Sequence, residues 1–90
     1  LIDSVTDEEI LSAYRLLSSK EGIFCEPSSA AGLAGLIKYK SAGKLPKGKR
    51  IVITCTGNGL KDIPWALEGA KDPIVVPVDV DVAAKALRLR

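Results

Sequence analysis

The sequence predicts an α/β fold, in which part of an open, mostly parallel sheet is flanked by helices. Residues 23–55 read as a strand, a helix and a second strand, and a crossover of that order almost always joins parallel strands. The second strand, Ile51–Cys55, is β-branched and apolar on both faces, as in a strand buried within a parallel sheet. A chain of 90 residues allows one domain at most.

The first element is predicted to be a helix over about residues 7–20. Thr6 and Glu9 have the spacing of a capping box, in which each side chain binds the other residue's backbone amide. Gly22 is expected to end the helix. The apolar residues that follow the cap recur at helical spacing: Ile10, Ala13, Tyr14 and Leu17.

A short buried strand, Ile23–Cys25, and a second helix follow. Pro27 suits the first position of that helix, and Leu33, Leu36 and Ile37 supply its apolar stripe. The helix also contains two glycines, each of which costs about 1 kcal/mol relative to alanine. We therefore expect it to approach the sheet closely, because close packing would offset that cost.

The last third of the chain is predicted to alternate short elements. Asn58-Gly59 often marks a hairpin, but no alternating strand pattern follows, so a short helix near Pro64 is favoured. Ile74–Val76 is a candidate short strand. Asp79 or Asp81 is expected to cap a final helix.

Composition excludes several classes of function. Hydrophobic residues make up 47% of the chain and charged residues 27%, as in a soluble globular protein. The net charge of +2 is too small to predict nucleic-acid binding, and no apolar run is long enough for a membrane span. No signal peptide is visible. The sequence has no histidine and no metal-ligand spacing, so no metal site is expected.

The two cysteines, Cys25 and Cys55, are too few for a disulfide scaffold. We interpret them as reduced core residues, and the expected location of the protein is the cytoplasm.

The ends of the two predicted strands are the candidate site. Ligands of open α/β sheets bind at the carboxyl edge of the strands, where Glu26 and Thr56 would lie. Structural alternatives remain open for both segments. Glu26 or Ser28 could cap the second helix, and the glycines on either side of Asn58 could permit a tight turn with positive φ.

Two sequence blocks resemble threonine synthases. Residues 21–32, EGIFCEPSSAAG, resemble the family segment E-G-I-F-x-E-P-x-S-A-A-G. Residues 56–62, TGNGLKD, resemble its T-G-N/H-G-L-K-D, and the spacing between the blocks also fits. The resemblance runs from about Leu11 to Asp62 and more loosely to the end. It implies a pyridoxal-phosphate enzyme with the fold of the tryptophan synthase β-like superfamily.

The resemblance also implies roles for three residues. Thr56 matches the hydroxyl residue that hydrogen-bonds the pyridine nitrogen of pyridoxal phosphate. Gly57, in the glycine-rich turn after it, and Glu26, which lines the site, are the other cofactor-binding residues implied. A neutral hydroxyl at this point donates a hydrogen bond without fully protonating the ring, whereas an aspartate would hold it as a pyridinium.

The family converts O-phosphohomoserine and water to L-threonine and phosphate. The lysine that holds its cofactor as a Schiff base, and its phosphate-binding loop, lie earlier in family members and have no counterpart here. No catalytic residue is therefore expected in this chain. Residues 1–90 are predicted to be the carboxyl-terminal part of a pyridoxal-phosphate-dependent α/β catalytic domain, inactive alone. Its expected partner is the remainder of the same enzyme, a homodimer at full length.

Two alternatives stay open at this stage. A serine or threonine dehydratase, or another β-replacement enzyme, would share the cofactor and differ in substrate-binding parts outside this chain. Leu60-Lys61-Asp62 favours threonine synthase over these enzymes. A non-enzymatic α/β interaction module is the other alternative.

Overall fold

A computed structural model describes residues 2–90, and helical segments are its main elements. The first helix is followed by one π-helical turn, and the second begins with a 3-10 turn. In chain order, the elements are α1 (Asp7–Leu16), the π turn (Leu17–Glu21), a 3-10 turn (Pro27–Ala30), α2 (Ala31–Ser41), a 3-10 turn (Gly59–Lys61), α3 (Ile63–Glu68) and α4 (Val80–Ala86).

The predicted open parallel sheet is wrong. Within residues 2–90 the structure has no strand, and the β-type pairing it shows is one antiparallel bridge between Cys25 and Asn58. The segments Ile51–Cys55 and Ile74–Val76 have no regular structure. An apolar, β-branched composition indicates a preference for buried, extended backbone, but a strand also needs a neighbour to receive its hydrogen bonds, and none lies beside these segments.

Helix α1 follows its sequence signals closely. The Thr6 hydroxyl accepts from the Glu9 amide at 3.2 Å, and the Glu9 carboxylate accepts from the Thr6 amide at 2.8 Å, which completes the predicted capping box. The π turn then extends the helical backbone to Gly22, whose left-handed conformation ends it as expected. These signals are local, so the rest of the chain does not alter them.

A small core lies between α1, α2 and the 3-10 turn that precedes α2. Tyr14 and Cys25 are its largest buried members, and partly buried side chains surround it. The other buried members of this core are alanines, which let the helical backbones approach: Ala13, Ala30 and Ala34.

Close approach is also visible at Gly32 in α2. A Cβ added there would lie 2.9 Å from the Ile53 side chain. Gly32 therefore packs closely, but against an irregular segment, so the predicted approach of this helix to a sheet is wrong.

The last third of the chain packs little against the core. Helix α3 begins at Ile63, near the predicted Pro64, and Asp79 caps α4 by accepting from the Asp81 and Val82 amides at 3.0 and 2.9 Å. Neither helix contains a buried residue. The accessible surface is 7526 Å², whereas a compact monomer of this mass exposes about 5,000 Å². The radius of gyration of 18.0 Å likewise exceeds the roughly 12 Å of a compact domain of this length.

Candidate functional site

The two candidate segments lie side by side. The Glu26 amide donates to the Gly57 carbonyl at 3.0 Å, and the Gly59 amide donates to the Phe24 carbonyl at 3.2 Å. These two bonds frame the Cys25–Asn58 bridge. The structure thus brings Glu26 next to the Thr56–Gly59 turn, but through an antiparallel contact between loops and not at the predicted edge of a parallel sheet.

Ser29 joins the two segments through its hydroxyl. Its Oγ accepts from the Gly57 amide at 2.8 Å, and it lies 3.1 Å from Thr56 Oγ1 and 3.4 Å from Glu26 Oε1. Ser29 is 7% exposed, whereas Thr56 is exposed. The 3-10 turn that begins at Pro27 places Ser29 here, because it directs residue 29 back over Glu26, whose carbonyl accepts the Ser29 amide at 3.0 Å.

The Glu26 carboxylate is held from the opposite segment. Lys61 Nζ lies 3.0 Å from Glu26 Oε2. The hydrogen bond from Lys61 is the largest of the effects that lower the pKa of Glu26, and contributions from its charge and from Ser28 and Ser29 act in the same direction. Glu26 precedes the 3-10 turn without capping it through its side chain, so the helix-cap alternative does not hold for this residue.

Gly57 and Gly59 are required by close contact. Neither has a positive φ, so the alternative of a left-handed turn is wrong. A Cβ added at Gly57 would collide with the Glu26 side chain, and one added at Gly59 would collide with the Phe24 ring. Both glycines are buried, and they allow the turn to lie directly against residues 24–26.

The two cysteines are free, but their surroundings differ. Cys25 is buried, as expected of a core residue, and burial is the main cause that raises the pKa of its thiol. Cys55 is exposed, so its placement in the core is wrong. It lies on the irregular segment that has no neighbouring strand to cover it.

Other types of site find little support in the described part of the chain. Residues 2–90 contain no cluster of three or more acidic, cysteine or histidine side chains able to hold a metal ion. Among the helices of that range, none has both the length and the apolar character that crossing a bilayer requires.

The sequence assigns no site role to two members of the site. Ser29 stands within the block EGIFCEPSSAAG, and Lys61 enters only as part of Leu60-Lys61-Asp62. The available signal for Ser29 was its position three residues after Glu26, behind a proline that starts a helical turn. For Lys61 no local pattern indicated a pairing 35 residues back along the chain, since only the tertiary contact creates it.

The sequence model of the family described as "Pyridoxal-phosphate dependent enzyme" matches residues 2–57. The chain belongs to this family, and the prediction of pyridoxal phosphate as its cofactor is confirmed.

Among curated proteins, the chain is similar to threonine synthases. It is 52% identical to that of Halalkalibacterium halodurans over 79 residues, which cover 87% of this chain and 22% of the relative. It is 61% identical to that of Bacillus sp. (strain ULM1) over 61 residues, or 68% of this chain and 17% of the relative. It is 44% identical to that of Methanocaldococcus jannaschii over 86 residues, which cover 96% of this chain and 21% of the relative. The resemblance seen in the sequence is thereby confirmed. The chain spans about a fifth of the length of these relatives.

The site fits one side of this cofactor. Thr56 offers an exposed neutral hydroxyl, and its buried neighbour Ser29 holds it in place. A hydroxyl of this kind suits a pyridine nitrogen, which accepts a hydrogen bond through its lone pair. Glu26, on the adjoining segment, would lie beside the ring. When bound, pyridoxal phosphate supplies an electron sink for carbanion chemistry, while the protein supplies orientation and electrostatics.

Proposed function

We propose that this chain is part of a threonine synthase and forms the ring-nitrogen side of its pyridoxal-phosphate site. The enzyme converts O-phosphohomoserine and water to L-threonine and phosphate. The observation that carries the proposal is the exposed Thr56 hydroxyl, which contacts Ser29 beside the Glu26 segment, in a chain 52% identical to a threonine synthase over 79 residues.

Thr56 donates to the ring nitrogen in this proposal. Gly57 allows the turn to lie against Glu26, since a side chain there would displace the carboxylate. The pair between Glu26 and Lys61 then keeps the carboxylate charged and close to the turn. None of these residues forms a covalent bond in the reaction, so the chain contributes binding and orientation.

The remainder of the same enzyme is the proposed partner of this chain. The accessible surface exceeds that of a compact monomer by about 2,500 Å², enough for a large obligate interface. An apolar groove of about 470 Å³ lies between α2 and residues 51–54. In this proposal the remainder of the enzyme covers that groove. The full-length enzyme is proposed to be a cytoplasmic homodimer.

Family membership weighs against a non-enzymatic interaction module. A dehydratase of the same family differs from a threonine synthase in its substrate. Lys61 favours a threonine synthase, because it belongs to the Leu60-Lys61-Asp62 block and pairs with Glu26.

The test is an assay of the complete protein that contains this chain, loaded with pyridoxal phosphate. We expect phosphate release from O-phosphohomoserine, with threonine as the other product, and none from the 90-residue chain alone. Formation of a 2-oxo acid from serine or threonine, without phosphate release from O-phosphohomoserine, would instead identify a dehydratase.

A matched pair of variants tests the role of Thr56. Thr56→Val keeps the volume and removes the hydroxyl, and it should lower both cofactor affinity and turnover about two- to tenfold, the range expected for one neutral hydrogen bond. Thr54→Val removes an exposed hydroxyl two residues away and should change neither. Equal values for Thr56→Val and the wild type would show that Thr56 does not contact the ring.

A further inference from the structure

The hydroxyl of Thr56 can act towards a ligand as a donor or as an acceptor, and the choice depends on Ser29. Each hydroxyl has one proton and two lone pairs. If Ser29 donates to Thr56, the Thr56 proton stays free to point outwards. If Thr56 donates to Ser29, only its lone pairs face the ligand. A pyridine nitrogen that offers a lone pair can bind the first arrangement alone.

The distances around Ser29 favour the first arrangement, although Glu26, whose pKa is lowered by hydrogen bonds from Lys61 and from Ser29, competes for the same proton. One Ser29 lone pair is occupied by the Gly57 amide at 2.8 Å. The Ser29 proton then has two acceptors within reach, Thr56 Oγ1 at 3.1 Å and Glu26 Oε1 at 3.4 Å. Hydroxyl–oxygen bonds normally measure about 2.5–3.0 Å, so the contact with Thr56 is the nearer to that range.

Lys61 reduces the competition from Glu26. Its ammonium group lies 3.0 Å from the second carboxylate oxygen and satisfies part of the charge that would otherwise attract the Ser29 proton. Ser29 itself is 7% exposed, so water has little access to replace either partner.

We infer that Ser29 is a positioning residue, which donates its proton to Thr56 and so leaves the Thr56 proton free for the ring nitrogen of the cofactor. Its second contact, with the Gly57 amide, holds in place the turn that carries Thr56. Ser29 acts through Thr56 and does not touch the cofactor. The inference rests on the proposed cofactor contact of Thr56.

The experiment uses the complete protein, loaded with pyridoxal phosphate that carries an isotopic label at the ring nitrogen. The nitrogen resonance reports the hydrogen bond at that atom directly and does not depend on turnover. Thr56→Val should shift the resonance, and Ser29→Ala should shift it part of the way in the same direction. In the Thr56→Val background, Ser29→Ala should cause no further shift, because the two residues act in series.

Two further variants keep the test decisive. Ser12→Ala removes an exposed serine hydroxyl on α1 and should leave the resonance and the turnover unchanged. Ser29→Cys keeps nearly the same volume with a poor hydrogen-bonding group, and it replaces Ser29→Ala if the alanine variant does not fold.

The outcomes separate the inference from the proposed function. An unchanged resonance in Thr56→Val would overturn the cofactor contact and, with it, the role of Ser29. A shift in Thr56→Val with none in Ser29→Ala or Ser29→Cys would overturn the role of Ser29 alone. The same would follow if the Ser29 variants melted at a lower temperature while the resonance stayed in place, since that is the result of a purely structural serine.

Discussion

The two halves of the chain differ in how they are held. Residues 5–34 contain every buried hydrophobic side chain of the described chain, and α1, α2 and the turns between them enclose that small core. Residues 63–90 contain two capped or proline-started helices but bury nothing, and Val75 is 91% exposed. Local signals are thus sufficient to start a helix in either half, while tertiary packing is present in only one.

The candidate site lies at the boundary between the halves. Ser29 and Cys25 belong to the packed half, and the Thr56–Gly59 turn attaches to them through the antiparallel bridge and the Ser29 hydroxyl. The position of the turn therefore depends on the packed half. We expect changes in that half to affect the site strongly, and changes in α3 or α4 to affect it little.

The largest effect should come from a charge placed in the core. Ala13 is fully buried, so Ala13→Glu should destabilise the packed half by several kcal/mol, because an unpaired carboxylate would lose its hydration. Ala70→Glu, at an exposed alanine, should stay within about 0.5 kcal/mol. Urea unfolding followed by circular dichroism measures both, and similar losses in the two variants would remove the contrast between the halves.

A methyl group at the boundary should have the next largest effect. Gly59→Ala would force the Phe24 ring or the turn to move, at a cost of about 1–3 kcal/mol. Gly69, at the end of α3, has no atom within 4 Å of an added Cβ, so Gly69→Ala is the matched control and should not destabilise. Thermal unfolding of the two variants provides the comparison. A tolerated Gly59→Ala would show that the turn is loosely attached.

Removal of a helix cap should act differently in the two halves. Thr6→Ala breaks the capping box of α1 and should lower the global stability by about 1 kcal/mol, because α1 forms part of the core. Asp79→Ala breaks the cap of α4 and should only increase local fraying, since α4 buries no residue. Hydrogen exchange resolves this: faster exchange in α2 after Asp79→Ala would contradict the independence of the halves.

The smallest effect concerns pH. The Lys61 hydrogen bond lowers the pKa of Glu26 below its ordinary value of 4.5. A carboxyl group whose pKa is lower in the folded state than in the unfolded state stabilises the fold at pH values above its unfolded-state pKa. This stability is lost as the pH falls through its folded-state pKa. NMR titration should therefore give a Glu26 midpoint below 4.5 that rises in Lys61→Met. Lys85→Met, in α4, should leave the Glu26 midpoint unchanged. The same Glu26 midpoint in Lys61→Met and in the wild type would disprove the pairing of Lys61 with Glu26.

Much of the helical structure could be predicted because its signals are local. The Thr6–Glu9 box, Gly22 and Asp79 act on backbone groups a few residues away, and each has the predicted role. The predicted strands are absent from residues 2–90, because local composition does not decide whether a strand forms. Ile51–Cys55 has the composition of a buried strand, but its hydrogen bonds need a neighbouring segment, which composition does not supply.

The sequence by itself determined the helix caps and the two blocks that carry the family resemblance. Tertiary structure alone decided that residues 24–26 meet the Thr56–Gly59 turn in an antiparallel contact, that Ser29 joins Thr56, and that Lys61 pairs with Glu26. The physical reason is the distance along the sequence over which each interaction acts. Caps act over a few residues, whereas the contacts of Ser29 with Thr56 and of Lys61 with Glu26 join groups 27 and 35 residues apart and exist only once the chain has folded.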